Sequence, residues 1–139
     1  MSYKIISKFI KDISFELPNV QAFIMLEKEI SNYALNFDIK SKPYKDNIIE
    51  VNTVFRMSPN QNVKHKIVTE ITGTALVSIE KNFEDKKELE KIILIKIPTE
   101  IYPDLYETFV YLFKQAGIKN IEIYKKVDFE KLYNEKKNN

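Results

Sequence analysis

The side chains that could carry acid–base or metal chemistry are few in this sequence. His65 is the single histidine among 139 residues, and there is no cysteine. A zinc site needs several His, Cys or carboxylate ligands, so His65 could join one only with carboxylates or a second chain. Its neighbours are Lys64 and Lys66, which predicts a solvent-facing strand position rather than a metal ligand or an acid–base catalyst.

Nucleophilic and paired-carboxylate catalysis also lack a supporting pattern. A Ser or Thr nucleophile needs a base beside it, and the chain has no Gly-x-Ser-x-Gly turn. Its two glycines cannot supply a phosphate-binding loop. The acidic pairs lie among lysines, as is typical of a solvated face. These pairs are Glu27/Glu29, Glu84/Asp85 and Glu88/Glu90. The sequence therefore predicts a protein that is not an enzyme and holds no metal.

The charge pattern argues against a nucleic-acid partner. The 22 basic and 20 acidic residues nearly cancel to a formal charge of +2, and Arg56 is the only arginine. Nucleic-acid-binding proteins cluster Lys and Arg on one surface, and arginine suits base and phosphate contacts best. Here lysines alternate with acidic residues, so no nucleic-acid binding is predicted.

The composition also predicts a cytoplasmic protein without membrane insertion. Lys4, Lys8 and Lys11 interrupt the apolar residues near the start, whereas a signal peptide needs an unbroken apolar run. No stretch approaches the ~20 apolar residues of a spanning helix. The lack of cysteine fits a reducing compartment.

Large apolar side chains are the feature that this chemistry leaves unexplained. There are nine Phe and eight Tyr but no Trp. Tyr33, Leu35 and Phe37 would share one face of a strand, and Tyr102 and Tyr106 would add aromatic area to a helix. Two interpretations stay open: a core with two faces, or an exposed groove or oligomer interface, since monomers seldom expose large apolar patches.

The elements that position these residues are predicted as strands followed by helices, an α+β order. Alternation of apolar and polar residues predicts four strands, at residues 3–17, 33–40, 48–57 and 64–80. The first strand is expected to carry a bulge near Asp12, with a short helix over its start as the alternative. Residues 20–31 have only a weak helical spacing. Gly73 in mid-strand indicates a bend or a close backbone approach.

Turns and helices complete the prediction. Turns are expected at residues 41–47 and 58–62. Helices are expected at residues 84–96 and 100–116, interrupted by Pro98 and closed by Gly117. An apolar connector spans residues 118–124, and Asp128 opens a last helix. Residues 134–139 are predicted to be a polar, disordered tail.

One segment carries a specific resemblance. Residues 11–16 read Lys-Asp-Ile-Ser-Phe-Glu and are followed by Pro18 and Asn19. This segment resembles the Lys-Asp-Ile-Ser-Phe-Glu-x-Pro-Asn run in the first strand of the SecB protein-export chaperones. Further blocks follow in the family's order: Leu-Asn-Phe-Asp at 35–38, Ile-Glu-Val at 49–51, Val-Ser-Ile at 77–79, Ile-Tyr-Pro at 101–103 and Val-Asp-Phe-Glu-Lys-Leu-Tyr at 127–133.

The resemblance implies a fold, an assembly and an activity. The fold would be a single SecB-like chaperone domain over residues 1–133, with a four-stranded antiparallel sheet followed by two or three helices. Sheets would pair into dimers and dimers into a homotetramer, with no cofactor. The activity would be that of a holdase, which keeps unfolded preproteins in apolar grooves and delivers them to the SecA ATPase of the Sec translocon.

The same resemblance assigns residues to two surfaces. The walls of the client-binding groove would be Tyr33, Leu35, Phe37, Ile101, Tyr102, Phe129, Leu132 and Tyr133. The acidic positions that face SecA would be Asp12, Glu16 and Glu70.

Three departures from the family leave other functions open. Family members are usually acidic with an acidic tail, whereas this chain ends Glu-Lys-Lys-Asn-Asn at 135–139. Residues 103–106 read Pro-Asp-Leu-Tyr in place of Pro-Tyr-x-Arg, and the family's Gly-rich link before this helix is replaced by a charged segment without Gly. Because lost acidity weakens electrostatic docking to SecA, one alternative is a SecB-like chaperone of an antitoxin in a toxin–antitoxin system. A second is a small-ligand-binding protein or enzyme that uses the aromatic pocket.

Overall fold

The computed structural model describes residues 2–60, 66–119, 121, 123 and 125–137. One helix lies between the first and second of its four strands, and the other helices follow the fourth strand. The strands are β1 (Tyr3–Glu16), β2 (Tyr33–Lys45), β3 (Ile48–Pro59) and β4 (Val68–Ile79). The helices are α1 (Val20–Glu29), α2 (Lys86–Lys91), α3 (Ile97–Gln115) and α4 (Phe129–Lys137). A 3₁₀ turn (Ile30–Asn32) precedes β2, and a π-helical turn (Ile92–Lys96) joins α2 to α3.

The sheet is antiparallel throughout, in the order β1-β4-β3-β2. The predicted fold class is therefore confirmed. The stretch 20–31, whose type was ambiguous, is helical over most of its length, because the Asn19 side chain accepts a hydrogen bond from the Ala22 amide at 2.9 Å and caps α1.

β1 is a strand from its first residues, so the alternative of an initial helix is wrong. Its register with β4 shifts at Ile6 and at Lys11, and the second shift confirms the bulge predicted near Asp12. Each bulge adds one residue to the strand. The two extra residues keep Ile5, Ile10 and Phe15 packed on the core, although their spacing in the sequence does not alternate.

Helix α3 packs across one face of the sheet. Phe55 of β3 is fully buried there, and the Phe109 ring lies 5.2 Å from its ring centroid. The closest approach is at Gly73 of β4. A Cβ at this position would lie 3.0 Å from Ile101 Cδ1 and from Leu105 Cδ2, which confirms the predicted close approach. The opposite sheet face, called the open face below, is formed by the even-numbered residues of β4 and their register partners.

The turn predicted at residues 41–47 is wrong in extent. β2 continues to Lys45, and the turn is confined to Asp46 and Asn47, with Asp46 at φ 53°. Pro43 does not end the strand because β2 lies at the edge of the sheet, where the missing N–H of proline is tolerated.

The interruption predicted at Pro98 is also wrong. Pro98 sits in the first turn of α3, where its missing N–H is not needed. The preceding π turn lets the helical chain run on from α2, with the Ile97 amide bonded to the Ile92 carbonyl. α3 ends as predicted at Gly117, whose φ of 89° accompanies two closing bonds, Gly117 N to Lys114 O and Ile118 N to Phe113 O.

The end of the described chain differs from the sequence-based expectation. Asp128 caps α4 by accepting a hydrogen bond from the Lys131 amide at 3.0 Å, as predicted. The helix then continues to Lys137, so residues 134–137 are helical rather than part of a disordered tail. Lys136 and Lys137 lie in the last turn of α4, where positive charge is favourable because it opposes the helix dipole. His65 and the end of the 58–62 loop lie outside the described residues.

Two buried hydroxyls in the sheet suggest a stability test. Thr53 is fully buried, and its Oγ1 has no hydrogen-bond partner among the described residues; Thr69 is similar. Thr53→Val keeps the shape and removes an unsatisfied polar group, so it should raise the free energy of unfolding by about 1 kcal/mol. Thr74 is the matched control, because its buried Oγ1 donates to Asn52 Oδ1 at 2.6 Å. Urea titrations should show Thr53→Val stabilising and Thr74→Val destabilising; equal effects would contradict the assignment.

Candidate functional site

An open apolar groove lies between the edge strand β2 and helix α4. Alternate residues of β2 point to the helix-covered side, and α4 presents one apolar stripe to them. The groove is called the β2–α4 groove below. Its two walls are Tyr33, Leu35 and Phe37 of β2 and Phe129, Leu132 and Tyr133 of α4.

The groove has a wide end and a narrow end. The wide end, beside Tyr33, encloses about 830 Å³. The narrow end, beside Ile39, encloses about 250 Å³. Leu35, Phe37 and Leu132 line both ends and so form the middle of one continuous channel. Leu132 remains 37% exposed, which leaves apolar area within reach of a ligand.

Aromatic rings form the floor of the groove and hold it to the core. The centroid of the Phe37 ring lies 5.1 Å from that of Phe129, 5.7 Å from that of Tyr102 and 5.4 Å from that of Phe55, and all three pairs are edge to face. Such pairs add to burial in fixing ring positions. Burial, with the nearby phenol of Tyr106, raises the pKa of Tyr102 to about 12, so this hydroxyl stays neutral. The floor is therefore rigid and apolar.

The wide end is anchored through a hydroxyl. Tyr33 Oη accepts a hydrogen bond from the Ile67 amide at 3.0 Å, which ties the first residue of β2 to the residue before β4. The rim carries charges of both signs, with Lys126, Lys131 and Glu135 at the wide end. A ligand would therefore meet an apolar channel with a mixed, solvent-exposed border.

Six of the eight predicted groove residues meet in this channel, and the other two do not line it. Tyr102 lies beneath it as part of the floor, 2% exposed. Ile101 is 1% exposed and packs on Gly73, away from the groove. Neighbouring helix residues point about 100° apart, so Tyr102 can reach Phe37 only while Ile101 turns to β4. Ile101 therefore does not line the β2–α4 groove, and its assignment to a client-binding wall stays a prediction.

Several lining residues were missed in the sequence. Met57 and Ile39 share the alternation of the predicted strands, and that signal could have found them. Ile30 and Val127 precede β2 and α4, and only the tertiary fold brings them to the wide end. Leu94 lines the narrow end from the π turn, and no regular helical period places it there.

The outer edge of β2 adds hydrogen-bonding capacity to the groove. β2 pairs with β3 on one side and, within the described residues, with no strand on the other. An edge strand offers unpaired N–H and C=O groups to another extended chain. Apolar side-chain space and free backbone groups therefore lie next to each other.

The three predicted acidic residues come together on the open face. Glu70 is the register partner of Ser14, which lies between Asp12 and Glu16 on the same side of β1. Asp12 and Glu16 are exposed. Glu70 instead accepts a hydrogen bond from Arg56 Nε at 2.8 Å, a pairing that the sequence did not indicate. Much of the charge of Glu70 is thereby compensated.

The other end of the open face is basic. Lys11 and Lys42 both lie within 4 Å of Glu50 Oε2, at 3.1 and 3.8 Å. Hydrogen bonds from Asn52 and Lys11 lower the pKa of Glu50, so it stays ionised. Two lysines around one carboxylate leave a net positive region. The open face is thus acidic toward Glu16 and basic toward Lys42.

Two other classes of site can be assessed over the part of the chain that the structure describes. No three His, Cys, Asp or Glu side chains there are arranged to hold a metal ion. No helix among those residues has the length and apolarity needed to span a membrane.

Comparison with known proteins identifies the family. The model of the family described as preprotein translocase subunit SecB matches residues 1–139. A SecB-type protein-export protein of Pelagibacter ubique is 45% identical over 137 residues, covering 99% of this chain and 98% of that protein. The chain belongs to the SecB family. A SecB of Rhodospirillum rubrum is 25% identical over 127 residues, covering 91% of this chain and 76% of that protein.

Structural comparison agrees with membership of the SecB family. A Mycobacterium tuberculosis SecB-like chaperone, solved in complex with a peptide from an antitoxin, superposes with a TM-score of 0.69. Its sequence identity is 12%, and the match covers 91% of this chain and 88% of that one. At this identity the likeness concerns the fold. As a SecB-family member, the protein is a chaperone of protein export, and the resemblance seen in residues 11–16 is confirmed.

Proposed function

We propose that the protein is an ATP-independent holdase that binds unfolded precursor polypeptides in the β2–α4 groove. The observation that supports this most strongly is the apolar channel beside the unpaired edge of β2. An extended client can pair its backbone with an edge strand while alternate side chains enter pockets. A folded client pairs most of its strands and buries most of its large apolar side chains, and so would bind much more weakly.

The affinity would come from several modest contacts. Each client side chain fully buried in the groove contributes about 1.5–3 kcal/mol, less the entropy lost when an unfolded segment is ordered. Because the exposed part of the lining is apolar and its rim is mixed in charge, selection would rest on apolar content rather than on a fixed sequence. Binding of the unfolded state slows folding and aggregation by mass action.

An aggregation assay tests the holdase proposal. A slow-folding client is diluted from denaturant, and light scattering is followed with and without equimolar chaperone and no nucleotide. The proposal expects scattering to be delayed and reduced in a concentration-dependent way. An unrelated folded protein at the same concentration should have no effect. Scattering traces that coincide with and without the chaperone would refute the proposal.

Delivery to the Sec translocon through SecA is the second part of the proposal. Asp12 and Glu16 are exposed on the open face and would supply the acidic contacts. Glu70 would contribute less, because Arg56 already pairs with it. Charged surface contacts mainly govern encounter rates and salt dependence, so docking to SecA should be weaker at high salt.

Charge reversal at Glu16 tests this docking surface. Glu16→Lys is expected to weaken SecA binding by about tenfold at low salt, with the difference shrinking as salt is raised. Glu107→Lys is the matched control, because Glu107 is an exposed acid on α3 and its replacement changes the net charge by the same amount as Glu16→Lys. Calorimetric titration of SecA at two salt concentrations would measure both. Equal losses for the two variants would contradict a local role for the open face.

Assembly as a dimer of dimers is also proposed. The outer side of β1 is the second free edge of the sheet in the described residues. Ile6, Phe9 and Ile13 of β1 are 50%, 46% and 47% exposed, and large apolar side chains at an edge favour contact with another copy. Native mass spectrometry should give a homotetramer, and a lone monomer at micromolar concentration would refute this part.

A second candidate function is supported by one structural neighbour. The M. tuberculosis SecB-like chaperone, whose fold this chain shares, was solved in complex with an antitoxin peptide. A chaperone of an antitoxin would use the same groove for a single client. A toxin–antitoxin pair beside the gene would favour this function, whereas co-purification of SecA and diverse precursors would favour export.

A further inference from the structure

The π-helical turn before α3 provides a third wall of the groove. In this turn the residues whose side chains face the core, Ile92 and Ile97, are five positions apart, and both side chains are fully buried. In a regular helix, residues three or four positions apart share a face. Going back from Ile97, Ile93 and then Glu90 would therefore point toward the core. The extra residue in the turn therefore keeps an apolar side chain on the core.

The same turn directs Leu94 into the groove. Leu94 lines the narrow end together with Leu35 and Phe37 of β2 and Leu132 and Tyr133 of α4. The turn contacts both β2 and α4. Its neighbour Ile95 points elsewhere, to a shallow cavity that includes Tyr3 and Thr99. One residue of the turn thus faces the groove and the next does not.

This wall is held in a fixed position. Ile92 and Ile97 anchor the turn at both ends by complete burial, and its backbone closes through the Ile97 to Ile92 bond. A closely packed interior yields little when a larger group is inserted. A client side chain entering the narrow end therefore meets a rigid boundary on three sides, within about 250 Å³.

We infer that Leu94 is a specificity-determining residue that limits the size of the apolar client side chain accepted at the narrow end. The inference rests on the proposed function of the β2–α4 groove. A smaller residue at position 94 would widen this end, so Leu94 would set how well a large side chain such as Trp binds there relative to Leu. Hydrophobic pockets discriminate by about tenfold or more for each group that does not fit.

Matched substitutions on the same turn test the inference. Unstructured peptides carry a fixed Phe anchor and a second anchor, Leu or Trp, placed two, four or six residues away. Competition anisotropy gives the ratio of their affinities. Leu94→Ala is expected to shift this ratio about tenfold toward Trp. Ile95→Ala truncates a half-buried neighbour that lies outside the groove and should leave the ratio unchanged. Equal ratios in the two variants would overturn the inference.

A second substitution keeps the test decisive if Leu94→Ala folds poorly. Leu94→Phe narrows the same end instead of widening it, so it should shift the affinity ratio toward the Leu peptide, whereas Ile95→Phe should leave the ratio unchanged. No shift in the first variant, or equal shifts in both, would overturn the inference.

The two proposals fail in different ways. If the unmodified protein binds no peptide and delays no aggregation, the holdase function is refuted and the role of Leu94 with it. If it binds clients and a change at Leu132 weakens that binding, but changes at Leu94 and Ile95 act alike, only the role of Leu94 is refuted.

Discussion

Replacing Leu35 by Asp is expected to weaken the binding of an unfolded client by at least about tenfold. Leu35 lines both ends of the β2–α4 groove, so a client cannot occupy the channel without passing it. Loss of one buried leucine contact removes about 1.5–3 kcal/mol, and 1.4 kcal/mol corresponds to a factor of ten in Kd. Fluorescence anisotropy with a labelled unfolded peptide would measure the change.

Two further variants test whether the loss of affinity is specific to the β2–α4 groove. Tyr44→Asp adds the same charge on the same strand, at a residue that is 62% exposed and outside the groove, and should leave affinity unchanged. Leu132→Asp changes the opposite wall at a 37% exposed position and should weaken binding without unfolding the chain. Phe37→Asp is less informative because Phe37 contacts three core rings. Unchanged affinity in both Leu35→Asp and Leu132→Asp would rule out this groove.

Phe55→Ala is expected to produce the largest loss of stability. Phe55 is fully buried in the middle of β3 and touches the rings of Phe37, Tyr102 and Phe109 at 5.2–5.9 Å between centroids. Truncating a buried Phe leaves a cavity and costs about 3–5 kcal/mol. That loss is a large part of the ~5–15 kcal/mol that stabilises a typical domain. Denaturant unfolding followed by circular dichroism would measure it.

The matched control for this truncation is Tyr111→Ala. Tyr111 is an aromatic residue of α3 that is 61% exposed, so its loss should change stability by less than about 0.5 kcal/mol. Because Phe55 supports the floor of the groove, Phe55→Ala should also reduce client binding, even where the chain remains folded. A stability loss below about 1 kcal/mol would contradict the assigned core.

The strands could be predicted from the sequence because one sheet face is covered. The buried residues of β3 alternate with partly exposed ones: Val51, Thr53, Phe55 and Met57 are buried, and each residue between two of them is partly exposed. This difference imposes a period of two. β1 was predicted over residues 3–17 from the same kind of pattern, with a bulge near Asp12, although its two bulges interrupt the period. The resemblance of residues 11–16 was a separate observation, which the match to the SecB family over residues 1–139 confirms.

The parts of the site that escaped prediction depend on contacts distant in sequence. The separation of Ile101 from the groove follows from the packing of α3 on Gly73. The pairing of Arg56 with Glu70 follows from the register of β3 and β4. Leu94 reaches the groove through a π turn, which has no period to detect. Each of these residues can be read from the sequence, but the direction in which its side chain points is set by the tertiary structure.

The two proposed surfaces differ in how much they depend on charge. The β2–α4 groove is lined mainly by apolar side chains, so client binding there is expected to depend little on salt. On the open face Arg56 pairs with Glu70, and two lysines surround Glu50, so docking there is expected to depend strongly on salt.

The β2–α4 groove is proposed to bind polypeptides because they are unfolded. The direct measurement compares one client protein in two forms, native and permanently unfolded by reduction and thiol blocking, titrated into the chaperone by calorimetry. We expect a Kd of about 1 μM or tighter for the unfolded form, and no measurable binding of the native form at the same concentrations. Equal affinity for both forms, or no binding of the unfolded form, would contradict this proposal.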